Sequence, residues 1–414
     1  MKKMHLALSA AITLALFSSV ASYAGEVDLV PGATVVADEA SPSGYTTTFV
    51  YEDAEAESVN LMGTFGFHTE GGQVGILPEE YISGKDYVPG LFRCSNSDTA
   101  ITEPMEKVEG TDYWTVSLYL PSGRYLYNYN VNGSEETFPD PANPPMESTA
   151  QAGGSIHLST VMVPYDEKQG TSLNFDFLLP NEEAAGELTY ADYTDINGNL
   201  AGLAIYLPFG YDADREEPYP TLYLSHGFGG SEMEWFASGA TNYLFDNLIA
   251  EGKVEPTVVV TMNNTNYIWD FDVIEKNVMN CILPFMEENY NVSAEPKGRA
   301  FGGLSMGGMT TSHMYYDDAT NFGYFGIFSG ADSRVNIQFL DQEALNTPTI
   351  MVGAGCYDFA LDPHFGMGYF ALQQFVSQMG AEHIPFDYYV VKGGHDWSVW
   401  PQLLKIFAEN YLWR

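Results

Sequence analysis

Phe301-Gly302-Gly303-Leu304-Ser305-Met306-Gly307-Gly308 is the stretch whose reading decides the fold of the second half of this chain. Gly303, Ser305 and Gly307 have the G-x-S-x-G spacing of a nucleophile elbow. In such an elbow a serine hydroxyl stands clear at a sharp strand-to-helix turn, and side chains at the flanking positions would clash. The chain holds 40 glycines in 414 residues, so the pattern alone is weak and its context carries the reading. Lys297 to Phe301 reads as a short strand after the loop Ser293–Pro296. Met309 to Tyr316 continues as a helix. Strand, elbow and helix fall in the required order.

Outward from the elbow, strands and helices alternate from about residue 165. Leu203–Leu207, Thr221–Ser225, Val258–Met262, Tyr324–Ser329, Thr349–Gly353 and Phe386–Val391 read as strands. Ala240–Glu251, Lys276–Asn289, Gly368–Gly380 and a C-terminal segment with Leu403, Leu404, Ile406 and Phe407 read as helices. This alternation predicts a mostly parallel sheet covered on both faces, with ligands at the carboxyl ends of its strands.

A serine needs a base. His395, in Lys392-Gly393-Gly394-His395-Asp396-Trp397 after the last strand, is the best placed. His313 lies eight residues down the elbow helix, and His226 and His364 fall in the wrong order or context. The base needs a carboxylate to hold its tautomer. Asp358 follows the strand Thr349–Gly353, with Asp362 and Asp387 as alternatives. Ser305, Asp358, His395 is the chain order of α/β-hydrolases. An oxyanion hole takes two backbone N–H groups. Met306 at the helix start supplies one. The loop His226-Gly227-Phe228-Gly229-Gly230 supplies the other, from Phe228 or next from Gly229. No metal motif appears, and this chemistry calls for no cofactor.

The first part of the chain differs. Lys2 and Lys3, the apolar run Leu6–Phe17 and Ser22-Tyr23-Ala24 read as a signal peptide over 1–24, predicting export to the periplasm or the extracellular space. The formal charge of −39 becomes −41 without Lys2 and Lys3. Such a surface repels nucleic acid and anionic membranes. Cys94, Cys281 and Cys356 are odd in number, and a Cys281–Cys356 disulfide is one reading beside a buried, unpaired Cys281. Thr46–Tyr51, Trp114–Leu120 and Arg124–Val131 alternate with period two, Val59–Gly63 reads as a further strand, and Asn132-Gly133 signals a hairpin. Residues 25–150 thus form an all-β sandwich, Pro139–Gly154 a linker, and Ser155–Pro164 a strand entering the second domain, 151–414.

Tyr113 to Gly133, followed by Phe138-Pro139-Asp140-Pro141-Ala142-Asn143-Pro144, resembles family 48 carbohydrate-binding modules, which are immunoglobulin-like sandwiches. Those modules often carry a tryptophan after the second strand. Gly63 to His68 has none, which favours packing or cleft shaping over glycan binding. The second domain resembles carbohydrate esterase family 1. The resemblance is carried by His226-Gly227, Trp235, Asp246–Ala250, Gly303–Gly308 and Gly393–Trp397. It implies an α/β-hydrolase catalytic domain behind the sandwich, and it places Ser305, Asp358 and His395 in the triad. Tyr357 stands where that family usually has an acidic residue.

The expected activity is release of feruloyl groups from plant cell-wall polysaccharide. Acetyl xylan esterase, siderophore esterase, acyltransferase and a non-catalytic glycan-binding protein are the alternatives. Phe228, Trp235, Tyr267, Trp269 and Trp397 are aromatics near the expected mouth, with Trp235 taken as substrate-binding and Trp400 as core. From Asp166 onward there are ten basic residues, and none lies in the His226–Trp235 loop or the elbow. Arg334 and Lys392 alone can approach the mouth. A polyanionic siderophore is therefore disfavoured.

Overall fold

The computed structural model describes residues 29–69, 75, 80–94, 101–154, 156–363 and 372–414. The signal-peptide reading, His364 and the first residues of the helix predicted at Gly368 lie outside them. Two four-stranded antiparallel sheets form the N-terminal part. One orders Gly32–Ala37, Tyr45–Glu52, Tyr113–Leu118 and Glu106–Lys107. The other orders Ser159–Val163, Gly123–Val131, Val59–Gly63 and Ile101–Pro104. Their inner faces share one core. Phe49, Val116 and Leu118 from the first sheet meet Leu61, Tyr125 and Tyr127 from the second, and the Phe49 and Tyr127 rings sit edge-on at 4.9 Å. The period-two alternation of these strands sends alternate residues inward, as a sandwich requires. Asn132 and Gly133 both take positive φ, 54° and 65°, and turn the chain after Val131.

Two expectations change here. Ser159–Val163 does not lead into the second sheet; it pairs antiparallel with Gly123–Tyr127 and closes the N-terminal one. Nor does Pro139–Gly154 behave as a free linker. The buried Asp140 carboxylate accepts from the Tyr127 hydroxyl at 2.7 Å and the Tyr129 hydroxyl at 3.3 Å. Asn143 Nδ2 donates to the Tyr127 hydroxyl and to Thr160 O. Two buried phenols need polar partners, and the segment supplies them.

Besides a small three-stranded sheet of Ile82–Ser83, Gly66–His68 and Phe92–Arg93, the largest sheet has eight strands, in the order Glu187–Thr194, Leu200–Leu207, Val258–Met262, Thr221–Ser225, Arg299–Leu304, Tyr324–Phe328, Thr349–Gly355 and Asp387–Val391. Leu200–Leu207 runs antiparallel to both neighbours, and the strands from Val258–Met262 onward are parallel. Val258, Val260 and Met262 point into one core with the helices Phe271–Asn289 and Met306–Asp318. Val259 points into a second core with Thr241–Ala250 and Trp400–Asn410. The helix over residues 271–289 contains a π-helical turn at Val278–Ile282, just ahead of Pro284. Proline has no N–H to offer the regular ladder, and the wider turn absorbs its ring.

Pro31 to Arg414 form one compact unit. Within it the Arg124 guanidinium, on the sandwich strand, donates to Ala237 O at 2.9 Å. All three cysteines are unbridged, so Cys281 and Cys356 form no disulfide. Among the described residues no helix is long and apolar enough to cross a membrane.

Candidate active site

Arg299–Leu304 ends at Ser305, which caps the helix Met306–Asp318 with φ 54° and ψ −118°. A non-glycine residue held at positive φ is strained, and the surroundings over-determine it here. A Cβ on Gly303 would stand 2.3 Å from Gly307 O, and one on Gly307 would stand 2.3 Å from Ser225 O. Only glycine lets strand, elbow and helix approach this closely.

The structure brings Ser305, His395 and Asp358 together. His395 Nε2 lies 2.9 Å from Ser305 Oγ, and His395 Nδ1 lies 2.8 Å from Asp358 Oδ1. A carboxylate oxygen only accepts, so Nδ1 carries the proton and Nε2 is left to accept from the serine hydroxyl. Asp358 is 0% exposed, and its Oδ1 also accepts from the Ala360 amide at 2.8 Å. The loops bearing Asp358 and His395 are held to one another. The Cys356 amide donates to Val391 O, and the Tyr357 amide donates to Gly393 O. The His395 ring is packed by Phe359, stacked at 3.9 Å, and by the edge of Trp400 at 5.3 Å. Tyr357 stacks on Phe92 of the N-terminal part, with ring centroids 5.7 Å apart.

His313 and Asp387, two of the rival candidates, are otherwise engaged. His313 Nε2 bonds Asp332 Oδ2 at 2.8 Å, and its ring stacks on Phe271. Asp332, though buried, is held well below the usual carboxylate range by Arg334 and His313. Asp387 opens its strand at the end away from the site and accepts from the Tyr411 hydroxyl. Asp362 lies four residues beyond Asp358 and does not meet His395, whose ring nitrogens are both taken up by the other two residues.

On the opposite side of Ser305, the loop His226–Gly230 leaves the end of Thr221–Ser225. A Cβ on Gly227 would come within 3.5 Å of Ser305 Cβ, so this loop abuts Ser305. Phe228 follows directly, and Met306 starts the helix on the other flank. His226 locks this loop, a role the sequence reading missed. Its Nε2 accepts the Asn264 amide at 2.9 Å, and its Nδ1–H donates to Gly227 O at 2.6 Å. Burial pushes its pKa down to about 4, so the ring is neutral at working pH. The reading of Trp235 as substrate-binding is corrected. It is 0% exposed, and its indole N–H donates to Ser225 O at 3.0 Å. Its bulk and its N–H are both spent beneath the loop, supporting it from inside.

A hydroxyl at a strained elbow, hydrogen-bonded to a histidine that a buried carboxylate orients, on a mostly parallel sheet, defines the serine hydrolases of the α/β-hydrolase class. Residues 196–408, just over half of the chain, match the Esterase family model. The chain belongs to that family. It is 34% identical over 149 residues to the endo-1,4-beta-xylanase/feruloyl esterase of Xylanibacter ruminicola. That match spans 33% of this chain and 20% of the relative's length. In fold it is similar to the family 1 ferulic acid esterase of the anaerobic fungus Anaeromyces mucronatus, with a TM-score of 0.50 at 19% identity over 58% of this chain and 96% of that one. It is also similar to the enterobactin esterase of Shigella flexneri, with a TM-score of 0.55 at 14% identity over 91% of this chain and 94% of that one. The second likeness extends through the N-terminal sheets.

Proposed function

We propose that this chain is an exported esterase releasing hydroxycinnamoyl groups, ferulate above all, from plant cell-wall polysaccharide. Ser305 Oγ attacks the ester carbonyl while His395 Nε2 takes its proton. The backbone N–H groups of Met306 and Phe228 receive the developing oxyanion. His395 then protonates the leaving sugar oxygen, leaving an acyl-enzyme. Water, activated by the same imidazole, releases the acid. Asp358 holds the tautomer and stabilises the imidazolium. The observation that carries this reading is the hydrogen-bonded chain Ser305–His395–Asp358 at the strained elbow. The name of the Xylanibacter ruminicola relative supports ferulate as the acyl group.

Charge weighs against a ferric catecholate as substrate, despite the enterobactin esterase fold. Arg334 is forked onto Asp332, and Lys392 lies over the Phe92 ring at 5.9 Å. The two cations that the sequence offers for the mouth are thus already engaged. In the proposed arrangement the N-terminal sheets, closed by Ser159–Val163, flank and support the catalytic loops. The test is kcat/KM for methyl ferulate, acetylated xylan and a linear enterobactin-type ester side by side. Ferulate is expected to lead. A leading siderophore ester overturns the charge argument, and turnover of acetyl esters alone replaces ferulate with acetate.

A further inference from the structure

Of the five aromatics read from sequence as near the mouth, burial removes three: Trp235, Tyr267 and Trp397 lie inside. Phe228 and Trp269 remain, 64% and 49% exposed. Their rings stack, with centroids 5.8 Å apart and planes 24° from parallel. Each sits on a loop leaving the carboxyl end of one of two paired parallel strands, Thr221–Ser225 and Val258–Met262. The two loops are tied together. The Asn264 amide donates to His226, Asn264 Nδ2 to Ser225 Oγ at 3.0 Å, and Thr265 Oγ1 to Gly230 O at 2.6 Å. Trp269 is held at φ 66°, a left-handed conformation unfavourable for a bulky residue. From below it meets the edge of Phe271 at 6.2 Å, and Phe271 in turn stacks on His313. The result is a pre-positioned aromatic surface beside the loop that abuts Ser305.

We infer that the Phe228–Trp269 pair is a platform for a neutral sugar ring on the alcohol side of the ester. This rests on the proposed function and adds a subsite to it. Sugar rings present an apolar C–H face that stacks on flat aromatic surfaces. The acyl carbonyl must be enclosed against the oxyanion donors and stays on Ser305 after the first step. A half-exposed surface suits instead the part of the substrate that runs out into solvent. A neutral glycan is also indifferent to the −39 charge of the chain.

The experiment uses four substrates: feruloyl and acetyl groups, each on a xylo-oligosaccharide and each on a simple alcohol (methyl ferulate, nitrophenyl acetate). Full-length wild type, Trp269→Ala, Phe228→Ala and Trp269→Tyr are compared. The readout is the ratio of kcat/KM on the oligosaccharide ester to that on the simple ester, for whichever acyl group the wild type accepts. The ratio is expected to fall about tenfold in both alanine variants and to recover largely in Trp269→Tyr. An unmoved ratio overturns the platform. So does an equal fall on both alcohols, which would place the acyl ring or the fold on this surface. Phe228→Ala keeps its backbone N–H and carries the test should Trp269→Ala fail to fold. Wild type that accepts acetyl but not feruloyl esters sinks the ferulate reading alone, because the acetyl pair still measures the ratio.

Discussion

Lowering the pH should destabilise this fold through His226, and the size of the effect follows from its surroundings. The ring is buried, its Nε2 accepts the Asn264 amide and its Nδ1–H donates to Gly227 O. A proton on Nε2 would set two donors against each other. Burial holds the folded pKa at about 4, against 6.5 for the free side chain. Between those values the unfolded chain binds the proton and the folded one does not, so stability rises with pH across this window. The contribution is complete above about pH 6.5 and is lost as the pH falls toward 4. Integrated from pH 7.5 down to 4.5 for one such group, the loss is about 2.5 kcal/mol. Urea unfolding of wild type and His226→Gln at both pH values isolates it, because other titrating groups are common to the two proteins. Wild type should lose about 2.5 kcal/mol more than the variant over that range. Equal losses, within about 0.5 kcal/mol, would refute the claim that a neutral imidazole locks this loop.

Ser305→Ala should cut ester hydrolysis by roughly 10³-fold or more and leave the melting temperature nearly unchanged, because alanine keeps the Cβ that stands at positive φ; near-normal turnover would remove Ser305 as nucleophile. Full-length Ser305→Ala should run unretarded through a glycogen-containing affinity gel, because Phe65, Phe67 and His68, at the position where a binding tryptophan would stand, are all buried. Marked retardation there would restore a glycan-binding role to the N-terminal sheets.

Much of the fold was legible locally. Val59–Gly63, Thr221–Ser225 and Val258–Met262 have the observed bounds, because a short, largely apolar run between turn signals names a strand without outside help. The edge strand Glu187–Thr194 escaped notice. It carries Glu187 and Asp192, and most of its residues are only half-buried, so no clean alternation marks it. The elbow strand was placed two residues early at its start, because Pro296–Gly298 forms a short 3-10 turn before Arg299.

Residue type, order and spacing by themselves determined the alternating architecture and the candidates Ser305, Asp358 and His395, since a nucleophile, an acid and a base must each follow a strand. What a side chain faces is set instead by contacts remote in sequence. Only the tertiary structure buried Trp235 under the Ser225 carbonyl while leaving Trp269 in solvent, though both are tryptophans in loop-proximal segments. It alone paired His226 with the amide of Asn264, 38 residues away, and tied Pro139–Gly154 down through Asp140. Burial and hydrogen-bond partnership depend on which elements pack together, and a local pattern of residues holds no record of that packing.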